Sequence, residues 1–271
     1  MSMPRKIRCT VESITAHGGR VYTVELKPER PAPPFLPGQF LHLTVDDFDP
    51  AGFWPESRVF SIASAPADRE RIRICYSVKG RYTQKMERVL AVGGEAWIKL
   101  PYGDFVIHPA CEIVLFAGGT GISAFAAFVE MLTQQLIQPV TLVYGARSPE
   151  LLLFSDMILD QFAKIAQFNV IFFTETADSG FTGRMAALPR APACFSGRIS
   201  LDVIIRLLSS DLRPPPSALR PLASALRPLA SVVPPSSVFY LAGPPVMISA
   251  LTSGLRTHGA RPEQIHVDAW E

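Results

Sequence analysis

The sequence predicts two domains in tandem, a small antiparallel β-barrel followed by an α/β domain built on a parallel sheet. Three observations predict this. From Ile7 to about Ile107, short alternating strands are separated by turn residues. Near His108-Pro109-Ala110 the pattern changes to buried strands alternating with amphipathic helices, which marks crossover connections in a parallel sheet. With 271 residues, 48% of them hydrophobic, the chain has enough apolar surface to fill two cores. The expected domains are residues 1–109 and 110–271.

In the first half, Cys9–Ile14 and Tyr22–Leu26 alternate around the hairpin signal Gly18-Gly19. Pro31, Pro33, Pro34 and Pro37 mark a rigid extended loop, and Phe40–Val45 follows as a strand. Further strands are expected at Arg58–Ile62, Ile72–Val78 and Glu95–Leu100, with one helix at Thr83–Ala91. In the second half, strands are expected at Ile113–Ala117, Val140–Tyr144, Asn169–Thr174 and Val238–Leu241. Helices fill Ile122–Leu136, Glu150–Ala166, Leu201–Leu208 and Pro245–His258. Residues 211–235 fit neither domain. Leu-Arg-Pro recurs at Leu212, Leu219 and Leu226, and proline in every seven-residue unit forbids a coiled coil. This stretch reads as an inserted extended loop, either a tolerated duplication or a docking arm carrying three arginines.

Composition excludes several classes of function. A net charge of +2 without Lys/Arg runs argues against a nucleic-acid surface. The uncharged segment between Glu112 and Glu130 approaches spanning length, but glycines interrupt it, so it reads as a buried strand and helix rather than a membrane span. Basic Arg5, Lys6 and Arg8 are followed by no apolar stretch, so no secretory signal is expected and the setting reads as cytoplasmic. Cys9, Cys75, Cys111 and Cys194 are too far apart for a local metal or iron–sulfur site and read as small buried hydrophobes. The five histidines form no catalytic cluster, and His42 reads as a partly buried strand residue.

The chemistry concentrates in short motifs. Gly119, Gly121 and Ala124 follow an apolar strand and open a helix, with the G-x-G-x-x-G/A spacing of a dinucleotide-binding turn. Small residues there let a pyrophosphate approach amides at a helix N-terminus, although similar turns occur in α/β proteins that bind no nucleotide. Arg58-Val59-Phe60-Ser61 puts a cation, an aromatic ring and a hydroxyl on one strand. Residues two apart share a face, so Arg58 and Phe60 can address one ligand.

Together these motifs resemble the ferredoxin–NADP reductase family. Arg58-x-Phe60-Ser61 is similar to its R-x-Y/F-S flavin motif, Gly80-Arg81-Tyr82-Thr83 to its second flavin motif, and Pro101-Tyr102-Gly103-Asp104-Phe105 to the P-x-G-x-F closing its barrel. Gly118-Gly119-Thr120-Gly121-Ile122 is similar to its nucleotide turn and Gly243-Pro244-Pro245-Val246-Met247 to its G-P-P-x-M. The resemblance implies an FAD-binding barrel at 1–109 and an NAD(P)-binding domain at 110–271. Arg58 would neutralise the flavin pyrophosphate, Phe60 stack on the isoalloxazine and Ser61 hydrogen-bond near N5. Tyr76, Ser77 and Val78 would follow the flavin, while Gly80, Arg81, Tyr82 and Thr83 would hold its pyrophosphate at a helix N-terminus. This second motif favours FAD over FMN. Gly119, Thr120 and Gly121 would meet the pyridine nucleotide, and Gly243, Pro244 and Met247 would border the nicotinamide.

Arg147 after the second strand, with Arg184, leans towards NADPH over NADH, since an arginine there accepts a 2′-phosphate. Both are equally readable as solvated charges. Ala242 stands where many members carry cysteine before G-P-P. Trp270 would cover the isoalloxazine with Glu271 as a nearby polar group, or Trp270 packs as a C-terminal strand residue. The expected activity is electron transfer from NAD(P)H through FAD to ferredoxin, flavodoxin or an oxygenase component. The alternatives are a ferric-chelate or small-acceptor reductase, or an electron-transfer subunit of a larger complex.

Overall fold

The computed structural model describes residues 3–108, 110–176, 178–209 and 237–268. The repeat at 211–235, Trp270 and Glu271 lie outside the described residues. The described residues divide into two compact units, residues 3–107 with Ser123–Met131, and His108–Ile122 with the described residues from Leu132 to Asp268.

In the first unit, six strands form one antiparallel sheet: β1 (Arg5–Ala16), β2 (Val21–Pro28), β3 (Phe40–Thr44), β4 (Arg58–Ser61), β5 (Ile72–Ser77) and β6 (Glu95–Tyr102). Their order is β4-β3-β6-β1-β2-β5. The two edge strands nearly close the barrel. Just past β4, the Ala63 N–H donates to the Arg73 carbonyl at 2.8 Å, and the Ser64 hydroxyl accepts the Arg73 N–H at 3.1 Å. Alternation decides which side chains fill the interior: Ile7, Val24, Leu41, Ile74 and Ile98 are all fully buried. Helix α1 (Arg81–Val89) covers this core with Tyr82 and Met86. It starts two residues before the expected Thr83, because Gly80 already takes the N-cap position.

The second sheet is β7 (Glu112–Gly118), β8 (Val140–Ala146), β9 (Phe168–Thr174), β10 (Ala193–Ser196), β11 (Ser237–Ala242) and β12 (Ile265–Asp268). All its pairings are parallel, in the order β10-β9-β8-β7-β11-β12. The chain starts at the middle of the sheet, builds outward to β10, then returns to the other side of β7. The strand order therefore reverses between β7 and β11, where ligands settle in open α/β sheets.

The helices are α2 (Ser123–Glu130), α3 (Ser155–Lys164), α4 (Ser179–Ala186), α5 (Leu201–Ser209) and α6 (Pro245–Thr257). Although α2 follows the glycine turn directly, it belongs to the first compact unit, where Phe125 packs on Phe105 with ring centroids 5.9 Å apart.

Several elements depart from the pattern-based expectation. The helix expected over 122–136 stops at Glu130, and the Leu136 N–H turns back to the Thr133 carbonyl at 3.0 Å, so that the chain can enter β8 through Pro139. The helix expected from Glu150 begins at Ser155. A single 3₁₀ turn at Pro149–Leu151 and a left-handed Phe154 (φ 59°) intervene. The sequence did not announce α4, β10 or β12. Gly180, Gly183 and two threonine or serine positions dilute the helical signal of α4, and both strands span four residues. Cys9 and Cys75 are buried and Cys194 half-buried, but Cys111 is exposed just before β7, contrary to expectation. Burial pushes the Cys75 thiol up to about 12.

A peripheral ion pair ties the barrel to α1. Arg20 forks onto the Glu87 carboxylate, donating from Nε at 3.0 Å and also from Nη2, and the Tyr22 hydroxyl donates to Glu87 at 2.9 Å. The Arg20 hydrogen bond holds the Glu87 carboxyl below its usual range. A depressed folded-state value contributes stability above the unfolded pKa of about 4.3, and that stability is lost as pH falls towards the folded value. Glu87→Gln should therefore flatten the loss of stability below pH of about 4.3, measured as denaturant midpoints between neutral and acid pH. An unchanged acid slope would show that the pair does not couple to folding.

Candidate functional site

The barrel gathers its charged and aromatic groups around the start of α1. Arg58 opens β4 with its guanidinium 4.8 Å from the centroid of the Tyr82 ring. Its Nη1 donates to the Ser57 carbonyl at 2.8 Å and its Nη2 to the Glu56 carboxylate at 3.0 Å. Phe60, two residues on, is half-buried and meets Tyr76 edge-on at 6.4 Å, while Ser61 is buried. Tyr76 turns into the core and stacks on Tyr22 at 5.2 Å, and burial pushes its phenol up to about 12. Its backbone, not its ring, is what this strand can offer a ligand. Ser77 ends β5 and Val78 follows it, both half-buried, with the Val78 N–H donating to the Arg20 carbonyl at 3.0 Å.

The start of α1 is pre-organised. The Thr83 hydroxyl accepts the Lys79 and Gly80 N–H groups at 2.9 and 3.1 Å and donates to the Gly80 carbonyl at 3.0 Å. It thereby orders the turn. The amides of Arg81, Tyr82 and Thr83, in the first helical turn, have no intrahelical acceptor. A Cβ on Gly80 would meet nothing within 4 Å, and its φ of −126° is open to any residue, so neither packing nor backbone strain demands glycine there. A Cβ would instead fill the approach to the helix N-terminus.

Arg81 is exposed and reaches the same Glu56 carboxylate at 3.6 Å. Tyr82 is buried and serves as an anchor: its hydroxyl contacts the Leu43 and Glu56 carbonyls, both at 3.1 Å, and accepts the Val45 N–H at 3.2 Å. Two guanidiniums, a helix N-terminus and an open glycine fit a diphosphate.

The second sheet builds its site by removing side chains. Gly118 ends β7, and a Cβ there would lie 2.5 Å from Met247 Sδ and 2.8 Å from Pro244 Cδ. On Gly121 it would lie 2.5 Å from the Ala242 carbonyl carbon and 2.6 Å from Gly243 N. Gly243 has φ +150°, and a Cβ on it would crowd the Gly118 backbone at 3.0 Å. Gly119 is different, with φ +53° and open space, free of any atom within 4 Å, where a Cβ would stand. The two glycine motifs thus meet at the switch point between β7 and β11, where Ala117 and Ala242 are paired. Met247 packs under the turn, Thr120 is half-buried and Pro244 is exposed.

Tyr144, to which no sequence motif points, braces this turn from β8. Its buried hydroxyl donates towards the Gly119 and Leu151 carbonyls at 3.2 and 3.1 Å and accepts the Leu153 N–H at 2.9 Å. Arg147 leaves the end of β8 exposed, with its carbonyl fixed by the Thr176 N–H and hydroxyl at 3.0 and 3.1 Å. Arg184 is exposed in the last turn of α4. Glu150 belongs to the same neighbourhood. A hydrogen bond from Ser148 and its own amide lower its carboxyl's pKa, and Arg184 adds to this while Asp178 opposes it. Arg184 therefore shares its surroundings with Glu150 and Asp178, a mixture of charge that no local sequence pattern reveals.

No protein-family profile matches the chain. The fold is similar to the ferredoxin reductase of a carbazole 1,9a-dioxygenase, with a TM-score of 0.67 and 23% identity, over 99% of this chain and 70% of that one. The sequence is 28% identical over 211 residues to an NAD(P)H-flavin reductase of Aliivibrio fischeri, covering 73% of this chain and 85% of that protein. It is 25% identical over 186 residues to the reductase component of a propane 2-monooxygenase of Mycolicibacterium smegmatis, covering 66% of this chain. The chain spans 52% of that component's length. The chain is thus similar in sequence to NAD(P)H-dependent flavin reductases and oxygenase reductase components, and shares its fold with a dioxygenase ferredoxin reductase. In this chain the two glycine motifs occupy the switch point of a six-stranded parallel sheet.

The glycines of that turn make different demands. Gly121→Ala presses a methyl into backbone and should destabilise towards the upper end of about 1–3 kcal/mol. Gly119→Ala imposes only left-handed strain, about 1 kcal/mol. Denaturant titration of both variants compares them, and equal costs would contradict the packing account.

Proposed function

We propose that the chain takes reducing equivalents from NAD(P)H through FAD to a one-electron acceptor such as ferredoxin, flavodoxin or an oxygenase component. The observation that carries this is the pairing of two unlike sites: a diphosphate-fitting cluster at Arg58, Arg81 and the α1 N-terminus, and a glycine-lined switch point between β7 and β11. In this reading residues 1–109 bind FAD, residues 110–271 bind NAD(P)H, and 211–235 is an insertion in the latter. Bound FAD supplies the conversion between two-electron and one-electron chemistry.

The chain's own residues bind and orient. Arg58 and Arg81 neutralise the diphosphate, Phe60 offers a ring face, and Ser61 offers a buried hydroxyl to the reacting edge of the flavin. Gly119, Thr120 and Gly121 admit the pyridine nucleotide, with Gly243 and Pro244 bordering its nicotinamide and Met247 supporting them from beneath. A cytoplasmic setting is supported by Cys9 and Cys75 being buried free thiols rather than halves of a disulfide. Among the described residues, no helix is long and apolar enough to cross a membrane.

The cofactor preference we propose is NADPH, supported by Arg147 at the end of β8 and Arg184 on α4, with Glu150 and Asp178 moderating the field. Arg147→Ala should raise KM for NADPH about tenfold while leaving KM for NADH within about twofold, as expected for losing one charge-assisted phosphate contact. Equal effects on both nucleotides would remove the 2′-phosphate role.

A second reading, a small-acceptor reductase, is favoured by the chain spanning 85% of the flavin reductase's length. The deciding experiment loads the purified chain with FAD and compares turnover with free flavin, ferric chelates, ferricyanide and ferredoxin. Ferredoxin turnover supports the first reading, and turnover with free flavin or chelates alone supports the second. Turnover with ferricyanide only marks a subunit that needs its complex. A chain that takes up no FAD overturns all three.

A further inference from the structure

Resting on the flavin reading above, we propose that Glu56 is an affinity-setting residue: its carboxylate competes with flavin phosphates for Arg58 and Arg81 and makes the flavin exchangeable. Glu56 faces both guanidiniums at once, Oε1 at 3.0 Å from Arg58 Nη2 and Oε2 at 3.6 Å from Arg81 Nη2. Arg58 has little freedom to serve both partners. Its Nη1 donates to the Ser57 carbonyl and its guanidinium lies over the Tyr82 ring, so a phosphate must share or displace the carboxylate.

The carboxylate's position is built in. The Tyr82 hydroxyl contacts the Glu56 carbonyl at 3.1 Å and is itself fixed by Leu43 and Val45. Next to it, Trp54 Nε1 donates to the Ser57 hydroxyl at 2.9 Å. The backbone is therefore held while the Glu56 side chain, 41% exposed, remains free to swing aside. One negative charge against two positive ones leaves the cluster with net attraction for an anion, but a weaker one than the arginines alone would give. Exposed ion pairs are individually modest, so the competition tunes affinity without abolishing it.

The test is a fluorescence titration of the full chain, wild type and Glu56→Gln, with FAD and with riboflavin, at low and high salt. Glu56→Gln should bind FAD about three- to tenfold more tightly, as expected for removing two exposed competing contacts. Riboflavin, which has no phosphate, should bind the two proteins equally. The FAD gain should shrink at high salt, where exposed charges are screened. Equal tightening for FAD and riboflavin, or no tightening for FAD, overturns the competition while leaving the flavin reading intact. If neither protein binds FAD at any salt concentration, both proposals fall. Matching thermal midpoints for the two proteins check that the variant is folded.

Discussion

Just past the paired ends of parallel strands β7 and β11, the two turns come so close that Gly118, Gly121 and Gly243 have no room for a Cβ. Gly118, Gly121 and Gly243 are set by this approach, and Met247 and Pro244 fill the remaining space. The rest of the second unit depends on it. Ladder pairing from Ser237–Glu112 to Ala242–Ala117 brings both strand ends level, and α6 begins directly after Gly243-Pro244. Tyr144 extends the constraint to β8 by tying the Gly119 carbonyl to the loop at Leu151–Leu153.

The barrel solves its problem differently. Its site consists of charges and backbone donors supported by one buried phenol, that of Tyr82, which holds the Leu43–Val45 and Glu56 backbones and underlies Arg58. Burial raises the pKa of the Tyr82 phenol, so it remains a neutral hydrogen-bonding group. Charges on flexible side chains are adjustable where packed glycines are not. This contrast makes the flavin side the natural place for affinity to be tuned.

Much of this is legible in the sequence. Alternation locates all six barrel strands, and apolar runs locate β7, β8, β9 and β11, because burial on one face or both leaves a periodic trace. His42 is half-buried as expected, and burial followed by Lys99 lowers its pKa. Short or glycine-containing elements such as α4, β10 and β12 leave too few residues for a period to show. The glycine spacing marks the turn, but only strand order reveals that the two glycine motifs share a switch point. Glu56 and Tyr144 escape sequence reasoning for a common reason. Their importance lies in partners distant in sequence, Arg81 for one and Gly119 for the other, which no local pattern encodes. Tyr76 shows the converse: its position in the strand is legible, but not that its ring faces inward onto Tyr22.

In the proposed function, the two sites serve one electron path from pyridine nucleotide to flavin. The most direct measurement is anaerobic titration of the FAD-loaded chain with NADPH and NADH, following the flavin's visible absorption band. Stoichiometric bleaching that reverses on admitting an electron acceptor is the expected result. An FAD-loaded chain whose band is unchanged by either nucleotide would contradict it.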